Sequence, residues 1–360
     1  DINNLLPFLR SLNQTPELYI LDKIIKKGFL IADIKIEFNP QGKIKENFII
    51  KGFIKDGKLS FNKRYNIDKI NFIFDLKKNE LVIGETGFNF NNLNFYSDEI
   101  SIKREENIFS VKGEIDNKKF DLDSLKSNIF IKNLLGNLKP EEFTFSSKNS
   151  FSFNLSKKFE LTNLEIISKV KLIEFKVLNN LDLKSFFPQI KEKITFLNND
   201  LKIKYKNNEL SINGEGKILF QDNADKISYK IKKIKNDLKF ETSLKIINNP
   251  LNIDLLNYSK DGDFLINFKG TKKNNKISLD LFNLKENDNI FNIKDLEFTT
   301  KKQIKKIGKV NLNYFDDDSQ NNSISLIKKD KGYILEGSYL NADNLVENIF
   351  KDKGENSNIF

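Results

Sequence analysis

From about residue 29 onward, apolar and polar residues alternate. Ile70, Phe72, Phe74 and Leu76 are interleaved with Asn71, Ile73 and Asp75, and Leu201, Ile203 and Tyr205 with Lys202 and Lys204. Phe240, Thr242, Leu244 and Ile246 alternate with Glu241, Ser243 and Lys245. Phe264, Ile266 and Phe268 alternate with Leu265 and Asn267, and Ile277, Leu279 and Leu281 with Ser278 and Asp280. A period of two marks strands with one buried and one wetter face. Turn pairs punctuate the runs: Asp56-Gly57, Asn207-Asn208, Asp261-Gly262, Asn274-Asn275 and Lys331-Gly332. Asn, Asp and Gly tolerate the left-handed backbone that tight hairpins need. The spacing predicts roughly 25 short strands with a turn about every 8–12 residues.

Helical periodicity is confined to four places. Pro16 and Glu17 open a pattern of Leu18, Leu21, Ile24 and Ile25 that Lys26, Lys27 and Gly28 would close, with the glycine past the last turn. Leu122, Leu125, Ile129, Leu134 and Leu138 predict a helix over 121–138. A short helix broken near Pro188 is expected over 182–193, and another over 341–351. The organisation is therefore a helical segment (1–28), two β-meander sections (29–178 and 179–340) and a C-terminal helix and tail (341–360). An apolar residue, any residue and then Gly recur at Ile50-Lys51-Gly52, Val111-Lys112-Gly113, Ile212-Asn213-Gly214 and Phe268-Lys269-Gly270. Glycine within a strand marks a bulge or bend.

Composition narrows the chemistry. There is no Cys and no His, which removes disulfides, thiolate chemistry and the usual triads. The net charge of +10 is spread evenly, and only Arg10, Arg64 and Arg104 are arginines. A reader of base edges relies on arginine forks, so no nucleic-acid partner is expected. Glu105-Glu106 and Glu141-Glu142 read as solvated turn charges. Asp316-Asp317-Asp318 reads as a hairpin loop, with calcium binding as the sharper alternative. Gly84-Glu85-Thr86-Gly87 lacks the lysine and following helix of a phosphate loop. The expectation is a non-enzyme without cofactor or metal. Met is absent, even at position 1, which suggests a processed or excised piece of a larger protein. No apolar stretch reaches the about 18 residues of a spanning helix.

Four stretches resemble AsmA-like and YhdP-like proteins. They are Lys-Lys-Gly-Phe-Leu-Ile-Ala-Asp-Ile-Lys-Ile at 26–36, Leu-Asp-Leu-Lys-Ser-Phe-Phe-Pro at 181–188, residues 194–218 with Asn213-Gly214-Glu215-Gly216, and residues 333–345. The resemblance implies an elongated, curved antiparallel β-sheet, groove-like, with a few short capping helices. It implies a periplasmic protein, held to the inner membrane through a segment outside this chain, that conducts phospholipid acyl chains between inner and outer membranes. The alternating sets named above would line the groove collectively: Ile70 to Leu76, Leu201 to Tyr205, Phe240 and Leu244, Phe264 to Phe268, and Ile277, Leu279 and Leu281. From the residues alone, the same pattern fits the dry core of stacked β-sandwiches that bind protein or glycan.

Overall fold

The computed structural model describes residues 1–2, 4, 7, 11, 24–42, 45, 47–61, 65–90, 93–106, 108–121, 140–157, 160–179, 183–274, 276–299, 304–330, 332–344 and 346–347. The expected helix over 121–138, beyond residue 121, and most of that over 16–28 lie outside these residues; of that over 341–351, residues 343–344 and 346–347 are helical and 345 and 348–351 lie outside. The fold is mainly β and antiparallel, as the alternation predicts. Among the described residues there are twenty-one strands, fewer and longer than expected.

The chain divides into two compact units, Asp1–Leu172 with Lys202–Asn208, and Ile173–Leu201 with Glu209–Phe360. Unit 1 holds β1 (Ile25–Lys35), β2 (Ile49–Phe61), β3 (Tyr65–Lys77), β4 (Glu80–Phe90), β5 (Leu93–Glu105), β6 (Ile108–Phe120) and β7 (Glu142–Ser156). It also takes the first part of β8 (Leu161–Leu178) and the last part of β9 (Lys193–Lys206). Each strand from β1 to β7 pairs with the next in chain order.

Unit 2 holds β10 (Glu209–Leu219), β11 (Ala224–Ile234), β12 (Asp237–Ile246), β13 (Asn252–Ile253), a 3-10 turn (Asp254–Leu256) and β14 (Tyr258–Ser259). β15 (Phe264–Lys273), β16 (Lys276–Glu286), β17 (Asn289–Phe298), β18 (Ile304–Lys306), β19 (Lys309–Phe315), β20 (Asn321–Lys329) and β21 (Gly332–Tyr339) follow. The ladder runs β10-β11-β12-β15-β16-β17-β19-β20-β21. β13 and β14 form a small sheet of their own.

One cap and one turn expectation become bulges, and the rejected phosphate-loop stretch lies inside a strand. Gly28 lies inside β1, at φ 155°, where the register with β2 slips, and is not a helix cap. Asp56-Gly57 is no turn but a bulge within β2, with Asp56 at φ 51°. Gly84-Glu85-Thr86-Gly87 lies within β4, with Glu85 at φ 48°, and no helix follows it. An extra residue on one strand bends it and deepens its twist, so these sites curve the ladder locally. Asn207 and Asn208, both left-handed at φ 51° and 62°, make the expected tight turn. The short helix expected over 182–193 is absent from 183–193. That segment is a pair of turns, with the Phe187 amide donating to the Leu183 carbonyl at 2.8 Å, because Pro188 cannot extend the ladder of helical bonds.

Candidate functional site

Residues directly opposite each other across a ladder share a face. In unit 2 the pairing therefore builds apolar rows across the strands. One row runs Tyr229, Thr242, Phe268, Phe282, Ile293, Val310, Leu326. Its neighbour runs Ile212, Ile231, Phe240, Gly270, Leu279. A third runs Ile227, Leu244, Ile266, Leu284, Phe291, Leu312, Ile324. The opposite face carries Lys226, Ser228, Lys230 and Lys232 against Lys245, Ser243, Glu241 and Lys239.

Unit 1 is built the same way. Ile34, Ile50, Leu76, Leu81, Ile102, Val111 and Phe153 form one row. Beside it Phe74, Ile83, Ile100, Gly113 and Phe151 form another. An aromatic series crosses four strands, with ring centroids 5.5 Å apart for Phe88–Phe95, 5.3 Å for Phe95–Phe120 and 5.5 Å for Phe120–Phe145. The alternation fails at β1 to β3, where Ile31, Phe53 and Ile73 form an exposed row on the otherwise polar face.

The predicted lining residues fall into three groups. Ile70, Phe72, Phe74 and Leu76 share the apolar face of unit 1. Ile203 and Tyr205 belong to the same unit, while Leu201 belongs to unit 2. Phe240, Leu244, Phe268, Ile277 and Leu279 lie together on the apolar face of unit 2. Leu281 does not. Lys269 pairs with Leu281 and Gly270 with Leu279, so Asp280 is an extra residue that reverses the parity of β16. Leu281 thus sits among polar-face residues, opposite Lys269 and Lys294. Phe282 and Leu284 take its place on the apolar face. The shift from 277/279 to 282/284 was present in the sequence as a change of phase.

Phe264 and Ile266 are on the apolar face but covered. A plug built from residues 183–190, Phe220 and the β13–β14 segment packs over this end of the strands. It buries Ile246 and Phe264 completely and holds Leu251, Ile253 and Tyr258 in one core with Phe187, Phe291 and Tyr314. Its attachments are polar. Glu286 accepts the Tyr258 hydroxyl and the amides of Asp261 and Gly262. The Tyr258 hydroxyl is held above its ordinary range by burial and then by this carboxylate. Asp225, fully buried, accepts the Ile247 amide at 2.9 Å and Asn249 Nδ2 at 2.6 Å, and burial raises its pKa. Asp317 accepts the Ser259 amide at 2.8 Å, and Asp318 accepts Asn257 Nδ2 at 2.9 Å. The 316–318 run is thus a hairpin loop whose oxygens are engaged by protein donors.

Ile212, Tyr229, Ile231, Phe240, Val310 and Leu326 are half-buried, as are Phe268 and Phe282, which pack against the plug's core. Burial pushes the Tyr229 hydroxyl up to about 12. Among the described residues no second large sheet exists to face these rows. A separate hollow of about 830 Å³ lies in unit 1, on mainly polar-face side chains: Ser101 and Lys103, Ser110, Lys112 and Glu114, Ser150 and Ser152, and Glu165. Lys204 and Lys206 hold Glu165 at 2.9 and 2.7 Å and lower its pKa. Among the described residues no group of His, Cys, Asp or Glu is arranged to hold a metal ion. No protein-family model, curated protein or solved structure matches the chain.

Proposed function

We propose that the chain is a segment of a bridge-like lipid-transfer protein of the cell envelope, as its resemblance to AsmA-like and YhdP-like proteins suggests. The acyl chains of phospholipids lie on the uncovered apolar rows while headgroups stay in water. The observation that carries the reading is the half-buried row of Ile231, Phe240 and, across Gly270, Leu279, with charged and polar residues on the reverse of the same strands. Apolar surface is costly to leave in water, at about 25 cal/mol per Å², and a contiguous row of it suits an apolar ligand. Nine paired strands at about 4.8 Å give unit 2 a span of about 38 Å across the ladder. One lipid tail needs about half of the roughly 30 Å hydrocarbon core of a bilayer, so a whole tail fits along the row. On this reading the side chains perform no reaction; the protein would be periplasmic, membrane-attached and in contact with both membranes.

A second reading, a non-catalytic envelope protein that binds protein or glycan, draws on the polar hollow of unit 1, whose serines and carboxylates suit hydroxyl groups. Lipid extraction from the purified chain, followed by mass spectrometry, separates the two. Co-purified phospholipid is expected, and its loss is expected in Phe240→Asp with Phe268→Asp, whose rings sit 6.1 Å apart on adjacent apolar rows. A folded double variant that retains the full lipid load would count against the proposal.

A further inference from the structure

The uncovered rows of unit 2 end, away from the plug, in a row of different character. Lys233 pairs with Leu210 on one side and Leu238 on the other. Leu238 pairs in turn with Lys272, and Lys272 with Ile277. The two lysines therefore stand on the apolar face, two strand spacings or about 10 Å apart, with leucine between them. Their sequence neighbours behave otherwise. Lys232 and Lys273 are on the polar face, where Glu209 and Asp237 neutralise them at 2.9 and 3.6 Å. Lys233 and Lys272 are exposed, and neither ammonium has an ion pair or hydrogen bond among the described residues.

A lysine stem packs on apolar surface while its ammonium reaches the water edge. Two such stems flanking Leu238 place two unneutralised cations at the rim of an apolar strip that is sealed at its other margin. That order of plug, apolar rows and cations matches an amphiphile with hydrocarbon tails and an anionic head. We propose that Lys233 and Lys272 form a headgroup site that selects anionic phospholipids over zwitterionic ones, an inference that rests on the lipid-lane reading. The tails lie on the rows of Phe240 and Phe268, and the lipid phosphate, with no nearby compensating cation of its own, sits between the two ammonium groups.

The test is competition. The full chain is incubated with vesicles holding equal amounts of phosphatidylglycerol and phosphatidylcholine of identical acyl chains, re-isolated, and its bound lipid counted by mass spectrometry. Each lysine near an anionic head is expected to favour it roughly fivefold, so phosphatidylglycerol should be enriched roughly tenfold or more, less at high salt. Lys233→Gln with Lys272→Gln should bring the ratio close to one, while Lys232→Gln with Lys273→Gln should leave the enrichment in place. Binding of the two lipids in equal amounts, or an enrichment that survives in Lys233→Gln/Lys272→Gln, would overturn the headgroup site and leave the lane intact. A chain that takes up neither lipid would overturn the lane, and the headgroup site with it.

Discussion

The ring of Tyr229 lies directly over Gly214, its partner across the β10–β11 ladder; a Cβ on residue 214 would come 2.5 Å from two ring carbons. Leu201 crowds the same point at 2.7 Å. The glycine thus makes room on the apolar face for a bulky ring, and the aromatic covers the backbone that the glycine leaves bare. Gly270, from the same recurring motif, does related work: a Cβ there would come 2.2 Å from the Ser278 carbonyl oxygen, where β15 and β16 slip in register.

Gly214→Ala is therefore expected to destabilise the protein by about 1–3 kcal/mol through overpacking. Urea unfolding followed by circular dichroism measures this. Tyr229→Val in the same chain should recover part of the loss, since the obstructing ring is gone. Gly214→Ala at wild-type stability would mean that the close approach is not a constraint.

The plug is held by few groups, and each is testable. Leu251 is nearly fully buried between the small β13–β14 sheet and the ends of the long strands. Leu251→Ala should cost about 2–5 kcal/mol if the plug unfolds together with the sheet. Glu286→Gln replaces an acceptor of three hydrogen bonds by a group that must point a donor at one of them. It is expected to loosen the plug and expose Ile246, Phe264 and Ile266. The measurement is binding of a fluorescent apolar dye, which should rise while the strand signal in circular dichroism is kept.

Asp316 gives a pH dependence of known sign. Burial alone would raise its pKa, but donation from Gln320, Asn322, Asn341 and Asp318 reverses this and leaves it below the ordinary 3.8. A carboxyl lowered on folding contributes stability above its unfolded value, and that contribution is lost as pH falls through the lowered folded value. Asp316→Asn should therefore cost more at neutral pH than well below pH 3.8, by urea unfolding at both. A penalty that is constant with pH would mean that Asp316 does not act through its charge.

Much of the ladder was legible because a period of two is written into each strand separately. Ile70 to Leu76 and Phe240 to Leu244 needed only local alternation to be assigned to one face. Leu281 was misplaced because a bulge at Asp280 costs the sequence one residue of phase and leaves the composition of the strand unchanged. Gly28 and Gly57 were misread because glycine serves caps, turns and bulges alike, and what decides between them is the partner strand. Of the plug only 183–190 was legible, as a short capping element expected near Pro188; the β13–β14 part was not. Leu251, Ile253 and Tyr258 are few and irregularly spaced, and their burial depends on packing against strands that close only in three dimensions. Lys233 and Lys272 were hidden for a related reason: at strand ends their face is set by register.

The most direct test of the lane is to ask which face touches lipid. A photo-crosslinking residue is placed at Phe240, on the apolar face, and in a second chain at Glu241, its neighbour on the polar face. Both are irradiated with phospholipid vesicles and analysed by mass spectrometry. Lipid adducts at position 240 and few or none at 241 are predicted. Equal labelling at both positions, or none at 240 in a folded chain, would contradict the claim that the apolar rows carry acyl chains.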